Sequence, residues 1–215
     1  MTTFSAPIRG REVTLEGLAE PDLWAMILLQ EDLAPAVKNG KVPIFLSSVE
    51  CKVGGLSFVE LSISVALESG PENLGPSVYL AHALNSSWFY STYKRWMSHS
   101  PHFHAPVRNF AGKRPALGVK GVFRGRVGEG RDFGAAQNES WEGKIFLRAQ
   151  PGKHRYFAVR VSGNTISLPF DAASDEFNLA RPEGVFGMLA DSHFVPQTWH
   201  IRRDVSVATS KTVQV

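Results

Sequence analysis

The stretch "FVELSISVAL", residues 58–67, has the most regular alternation of apolar and polar residues in the chain. Successive side chains of a β-strand point to opposite faces, so a period of two predicts a strand with one apolar and one polar side. The apolar side would carry Leu61, Ile63, Val65 and Leu67. The polar side would carry Glu60, Ser62 and Ser64.

Further segments with strand character lie on both sides of this stretch. Residues 42–53 precede it, and residues 77–84 follow a Gly- and Pro-rich loop, so we expect residues 77–84 to pair antiparallel to it. The pair Gly163 and Asn164 predicts a hairpin turn within residues 161–170. The remaining predicted strands cover residues 102–110, 116–128, 141–149, 153–161 and 198–209.

Three short helices are predicted between the strands. Residues 20–37 begin with Pro21 in the first turn, with Leu23, Met26 and Ile27 on one face. Residues 181–192 begin with Pro182.

The third predicted helix covers residues 85–97, and Asn85 or Ser86 is its expected cap. One face of this helix is aromatic and apolar, and we expect that face to pack over a sheet. It carries Phe89, Tyr93, Trp96 and Met97.

About eight strands and three helices with short connections predict an α+β fold that is predominantly antiparallel β. No alternation of strands and helices dominates, and several glycines lie where a sheet would bend. We therefore expect a curled or closed sheet with a few short flanking helices, formed by residues 1–215 as a single domain.

Composition narrows the classes of function. Net charge is only +3 and the basic residues are dispersed, so nucleic acid is not an expected partner. No apolar run reaches the roughly 20 residues of a membrane span, and the N-terminus lacks a signal-peptide core. The single Cys51 excludes an intrachain disulfide. We expect a cytoplasmic protein without membrane contact, and no nucleotide-loop motif suggests a cofactor.

The stretch "WMSHSPHFHAPVRN", residues 96–109, concentrates side chains that can do chemistry. On a strand, His102 and His104 would share a face, while His99 is expected in a turn. Three interpretations remain open for them. They could bind a metal together with His82, Glu60 or His200, act as acid and base, or be structural polar residues at a sheet edge. No dedicated metal motif is present, and we predict no metal.

Glu60 bears on the same question. In an open sheet its side would face solvent, whereas in a curled sheet it would line the interior. An interior carboxylate has a raised pKa or a cationic partner, and Arg95 and Arg108 are the candidate partners.

The order of these motifs resembles the acetoacetate decarboxylase superfamily, and more closely its uncharacterised relatives. The resemblance runs from about residue 13 to 208, through "VELSISVAL", "VYLAHALNSS", "YKRWMSHSPHFHAPV" and the late "HFVPQTWHIRRDV". It implies a double-layered, cone-like β-barrel. It also implies that Glu60 matches the family glutamate, Arg95 the helix arginine, and Pro101 the proline before the catalytic lysine.

The residue after Pro101 is His102, where the decarboxylase has its Schiff-base lysine. Imidazole cannot form that imine, and neither Lys113 nor Lys120 falls at the motif position. We therefore predict a member that lacks the lysine and is not a Schiff-base decarboxylase.

Two hypotheses follow. The first is an enzyme, lyase-like or hydrolase-like, acting on a small carbonyl or carboxylate compound. Its catalytic residues would be His102, His104 and Glu60, and its substrate-binding residues would be Arg95, Arg108, His82, Trp96 and Phe103.

The alternative is a non-catalytic binding protein for a hydrophobic small molecule. Its apolar walls would be Trp88, Phe89, Tyr93, Trp96 and Phe103. Both hypotheses leave homo-oligomerisation open.

Overall fold

The computed structural model describes residues 3–53, 55–68, 76–98, 100–111, 114–149, 153–181 and 183–214. The helices in this part of the chain are α1 (Pro21–Leu29), α2 (Trp88–Ser98) and α3 (Val185–Asp191). The strands are β1 (Ile8–Ala19), β2 (Val42–Val53), β3 (Leu56–Ala66), β4 (Ser77–Asn85), β5 (His102–His104), β6 (Val107–Ala111), β7 (Arg114–Val119), β8 (Phe123–Arg126), β9 (Gln137–Leu147), β10 (Arg155–Pro169), β11 (Glu176–Leu179), β12 (Val195–Thr209) and β13 (Val213–Gln214).

Seven of these strands close into a mixed β-barrel, in the order β1-β2-β3-β4-β9-β10-β12 and back to β1. All pairs in the ring are antiparallel except β4 with β9, which is parallel. The short β5 also pairs parallel with β4, beyond the point where β9 pairs with it. The closed ring, its short helices and its mainly antiparallel pairing confirm the predicted fold class.

A second sheet, in the order β11-β8-β7-β6, packs against the barrel. One continuous set of buried apolar side chains joins this sheet to the barrel and to α1 and α3. It includes Leu15, Trp24, Leu46, Ile63, Leu117, Phe123, Leu189 and Trp199. Burial of such side chains supplies the main driving force for this arrangement.

The strand that opened the sequence analysis has the faces predicted for it. Leu61, Ile63 and Val65 are at most 1% exposed, and Leu67 lies just beyond the end of β3. On the opposite face Ser64 is buried while Glu60 and Ser62 are partly buried. The polar face is therefore not open to bulk solvent.

The first helix begins at Pro21 as predicted, but it ends at Leu29. Its buried face matches the prediction only in part, since Ile27 packs against the core. Trp24 and Leu28 are fully buried, whereas Met26 is 59% exposed. The Trp24 indole Nε1 donates to Ser192 Oγ at 3.0 Å, which ties α1 to the end of α3. The helix predicted at residues 181–192 starts at Val185, and Pro182 lies outside the described residues.

Three strand predictions were wrong. Residues 102–110 divide into β5, which pairs with β4, and β6, which belongs to the second sheet. Residues 116–128 are not one strand, because a turn containing Gly121 at φ +76° separates β7 from β8. Gly163 and Asn164 form no hairpin turn, since β10 runs straight through them between β9 and β12. The pairing with β12 shifts register there, so the glycine lies at a β-bulge, where a Cβ would come within 2.5 Å of Asp204 O.

The prediction that the aromatic face of α2 packs over a sheet was also wrong. Trp96 is 82% exposed, and the other members of that face are at least half exposed. Neither Asn85 nor Ser86 is the cap, because Ser87 Oγ accepts from Tyr90 N at 3.2 Å. None of the described helices is long and apolar enough to cross a bilayer.

Candidate functional site

The candidate site forms where β3, β4 and β5 run side by side. Antiparallel pairing places Glu60 opposite Asn85, and parallel pairing places His104 beside Asn85 and His102 beside Ala83. This register brings His102 and Glu60 together although they are 42 residues apart in sequence. Nε2 of His102 lies 3.1 Å from Oε2 of Glu60.

The second nitrogen of His102 is also engaged. Its Nδ1 lies 2.6 Å from Ser100 Oγ. An ionised carboxylate only accepts, so Nε2 donates to Glu60, and in the neutral ring Nδ1 then accepts from the serine hydroxyl. His102 is 5% exposed and Ser100 is 4% exposed. The imidazole is therefore held in one orientation by partners on both sides.

The environment of Glu60 favours its charged form. Burial raises its pKa, but the hydrogen bond and charge of His102, the charge of Lys94 and the hydrogen bond from Asn85 together outweigh burial. The net result is a pKa below the ordinary glutamate value. Asn85 Nδ2 donates to the same Oε2 atom at 3.1 Å.

The cation near Glu60 is Lys94, and both predicted partners were wrong. One residue along a helix turns the side chain by about 100°, so Lys94 lies towards Glu60, while Arg95 is exposed and lies over the Phe103 ring. Arg108 is exposed on β6. Within the described ranges, neither arginine forms an ion pair with Glu60.

Three of the predicted substrate-binding residues form a second cluster beside the pair. The rings of His82 and Phe103 are stacked, with centroids 4.8 Å apart and an interplanar angle of 13°. The guanidinium carbon of Arg95 lies 5.9 Å from the centroid of the Phe103 ring. Burial, with a smaller contribution from the charge of His102, lowers the pKa of His82 to about 4. His82 is therefore neutral at physiological pH.

The other predicted site residues take different positions. His104 is exposed on β5, and its Nδ1 lies 3.2 Å from the carbonyl oxygen of Asn85. Trp96 is on the exposed face of α2, and Arg108 is on the second sheet. His99 lies outside the described residues. The structure thus brings together Glu60 and His102, and separately Arg95, Phe103 and His82.

Several solved structures superpose on nearly the whole chain. The enduracididine biosynthesis enzyme MppR, in complex with the condensation product of pyruvate and imidazole 4-carboxaldehyde, gives a TM-score of 0.60 at 14% identity over 95% of this chain and 87% of its own. Acetoacetate decarboxylase from Legionella pneumophila gives 0.62 at 11% identity over 100% of this chain and 90% of its own. An acetoacetate decarboxylase-like enzyme from Sphingomonas wittichii gives 0.58 at 13% identity, covering 99% and 92%.

The chain has the acetoacetate decarboxylase-like fold. This confirms the fold that the resemblance in the order of its motifs implied. No protein-family model and no curated protein matches the sequence. At 11–14% sequence identity, structural similarity shows the fold alone. The chemistry must therefore be argued from the site itself.

Across the described ranges, no group of three or more His, Cys, Asp or Glu side chains is arranged to hold a metal ion. His200, one of the suggested ligands, instead lies 3.0 Å from Glu16 Oε2 and 3.0 Å from Ser167 Oγ.

The Cys51 thiol is partly buried, and desolvation followed by the charges of Glu60 and Glu50 raises its pKa to about 12.

Sequence reasoning missed four residues that shape the site: Asn85, Tyr90, Lys94 and Ser100. Ser100 precedes His102 by two positions, and that spacing within an extended segment was the available signal. Tyr90 and Lys94 are four residues apart and share the inner face of α2, where the Tyr90 ring stacks on Phe58 with centroids 4.2 Å apart. The aromatic residues of α2 gave the stronger periodic signal, so sequence reasoning did not identify the polar inner face of this helix.

Proposed function

We propose that this chain is an enzyme that transfers protons on a small carbonyl or carboxylate compound, with His102 and Glu60 as the working pair. The observation that carries the proposal is the 3.1 Å contact between His102 Nε2 and Glu60 Oε2. Ser100 on the opposite nitrogen completes a chain of three polar groups. General acid–base catalysis uses side chains positioned in this way, most often histidine or a carboxylate.

Each member of the chain has a distinct part. Glu60 stays ionised at neutral pH because its pKa is lowered, and its side chain is 28% exposed, so it is the member that can accept a proton from substrate. The buried His102 donates a hydrogen bond to this carboxylate and orients it. Ser100 fixes the ring and offers a hydroxyl to the far nitrogen. Lys94 adds a positive charge on the side of Glu60 that faces α2. Imidazole is the side chain best suited to proton transfer near neutral pH.

The cluster of Arg95, Phe103 and His82 is the proposed substrate side. The exposed guanidinium of Arg95 can bind a carboxylate through two parallel hydrogen bonds. The Phe103 and neutral His82 rings provide a flat apolar surface beside it. His104 lies next to Asn85 at the exposed margin and is the second candidate acid or base. Trp96 and Arg108 contribute less to this proposal, since they lie on other surfaces.

The chemistry proposed differs from that of a Schiff-base decarboxylase. His102 follows Pro101, where the resemblance places the catalytic lysine, and an imidazole cannot form an iminium. Proton abstraction next to a carbonyl, with the carbanion held as an enolate, needs no such intermediate.

The alternative of a non-catalytic protein for a hydrophobic molecule is less favoured. Four of its five proposed wall residues lie on the outward face of α2, where they are at least half exposed.

The test is hydrogen–deuterium exchange at carbon, followed by NMR. Pyruvate and other 2-oxo acids come first because the MppR complex contains a product formed from pyruvate, and 3-oxo acids come second. We expect the protein to accelerate loss of the proton next to the carbonyl, and His102→Gln to reduce the rate by about 100-fold or more. His200→Gln is the matched control, since His200 on β12 contacts Glu16 Oε2 and Ser167 Oγ, each at 3.0 Å, and has no part in the proposed reaction.

Full retention of exchange in both His102→Gln and Glu60→Gln would overturn the assignment of this pair. A raised KM for exchange with an unchanged kcat in Arg95→Ala would support its role in holding the substrate carboxylate. A substrate that is bound but never exchanged or converted by the wild-type protein would favour the binding alternative.

A further inference from the structure

We propose that the outward face of α2 docks against the same face of a second copy of this chain. The face consists of Trp88, Phe89, Tyr93, Trp96 and Met97, whose exposed fractions are 65%, 63%, 51%, 82% and 65%. Together with Thr92 they line one shallow groove. Side chains of this size are seldom left exposed together on a monomer.

The exposed area fits a dimer. A large aromatic side chain offers roughly 150–250 Å² of surface, so five large side chains exposed to these fractions present roughly 500–800 Å². The largest apolar patch on a typical monomer is about 300–600 Å². A standard stable interface buries about 800 Å² on each partner. The α2 face alone therefore supplies most of the area that a dimer needs.

The helix is held firmly from its inner side. Ser91 is buried, the Tyr90 ring stacks on Phe58, and Ser87 caps the first turn. Because this inner side fixes the helix to the barrel, the outer face is presented without the ordering cost of a free segment.

Charge favours a protein partner over an anionic membrane. An interfacial membrane helix exposes several basic residues beside its apolar face. In α2 there are two basic residues, and Lys94 is directed towards Glu60, which leaves Arg95. The composition of the outer face, rich in Trp, Tyr, Phe and Met, is that of an interface core.

Self-association through this face would also bring compatible side chains into contact. An isologous contact places the same patch on both sides of a twofold axis. If the axis passes between Thr92 and Tyr93, Phe89 meets the partner subunit's Trp96, and Trp88 meets the partner subunit's Met97. These are aromatic–aromatic and sulfur–aromatic contacts. Arg95 and the 42%-exposed Phe103 lie beside the patch, so the dimer would shield that side of the candidate site.

The test is sedimentation velocity of the full chain from about 1 to 100 μM. We expect a concentration-dependent dimer for the wild-type protein, and Trp96→Glu to weaken association by at least about 30-fold, the effect of losing one interface hot spot. Leu29→Glu is the matched control, because Leu29 is a 77%-exposed apolar residue on α1. It should dimerise like the wild type.

A wild-type chain that remains monomeric at 100 μM would overturn the proposal. So would a dimer that persists in both Trp96→Glu and Phe89→Glu, or one that is lost equally in Leu29→Glu. Flotation of the wild-type monomer with phosphatidylglycerol vesicles would assign the face to a membrane instead. Near-UV circular dichroism verifies that each variant is folded.

Discussion

Replacing Glu60 by glutamine should destabilise the protein in a pH-dependent way. The carboxylate accepts hydrogen bonds from His102 and from Asn85, each at 3.1 Å, and its side chain is 28% exposed. Hydrogen bonds to charged groups contribute about 1.5–3 kcal/mol each. Glutamine keeps the shape and one acceptor oxygen but loses the charge, so we expect a net loss of about 2 kcal/mol at pH 7. In a chain of this size that corresponds to a Tm lower by about 4–8 °C.

The sign of the pH dependence follows from the direction of the shift. The pKa of Glu60 is lowered in the folded protein, so its contribution to stability is complete above the unfolded pKa, about 4.3. The contribution is lost as the pH falls through the lower, folded pKa. The difference in free energy of unfolding between wild type and Glu60→Gln should therefore shrink between pH 6 and pH 3.

Urea denaturation followed by circular dichroism at pH 7, 6, 5, 4 and 3 measures this difference. Glu142→Gln is the matched control, because Glu142 forms a 2.7 Å ion pair with Arg160 in which both side chains are more than half exposed. Such a pair contributes little. A difference for Glu60→Gln that equals the control, or that stays constant down to pH 3, would refute the electrostatic account of the site.

Three further predictions concern separate parts of the structure. Burial and the nearby charges of Glu60 and Glu50 raise the pKa of Cys51 to about 12. Its reaction with an aromatic disulfide reagent at pH 8 should therefore be at least about 100-fold slower in the folded protein than in the protein unfolded in urea. The reaction of the folded Glu60→Gln variant should be faster than that of the folded wild type. Burial lowers the pKa of His82 to about 4, so the unfolded chain binds a proton near pH 6.5 that the folded chain does not. Stability should fall between about pH 6.5 and 4, and His82→Phe should flatten that fall in urea titrations. Gly17→Ala would place a Cβ 2.3 Å from Phe194 Cζ, and calorimetry should show a loss of about 1–3 kcal/mol.

Much of the strand framework could be predicted from sequence because alternation is a local property. The exception in the ring is β1, which was not predicted, since four consecutive buried residues interrupt its alternation. In β3, each apolar residue at every second position reports directly on the buried face. The break between β7 and β8 was missed because valines flank Lys120 and Gly121 and continue the strand pattern. At Gly163 the turn signal was real, but partners on both sides of β10 convert it into a bulge.

The residues of the candidate site could be predicted from the sequence more readily than the contacts between them. Glu60 and His102 were singled out by type, but their meeting depends on two strand registers with β4 between them, which no local pattern contains. Arg95 was predicted to be the cation near Glu60, but that cation is Lys94, one position earlier on the helix, and Arg95 lies over Phe103 instead. The aromatic periodicity of α2 correctly identified one face of a helix, yet periodicity does not tell what covers that face.

The parallel pairing that completes the barrel has a consequence for how it moves. One edge of β4 pairs with two strands in succession: Ser77–Tyr79 pair with β9, and Ala83–Asn85 pair with β5. We call these two pairings branches and the point between them the fork. Each branch holds three residue pairs of the parallel kind, which is slightly weaker than antiparallel pairing. Local opening begins where few bonds resist it. Deuterium should therefore enter the amides at this fork before those of the long β1–β12 ladder, and the imidazole of His102 sits on the branch that opens.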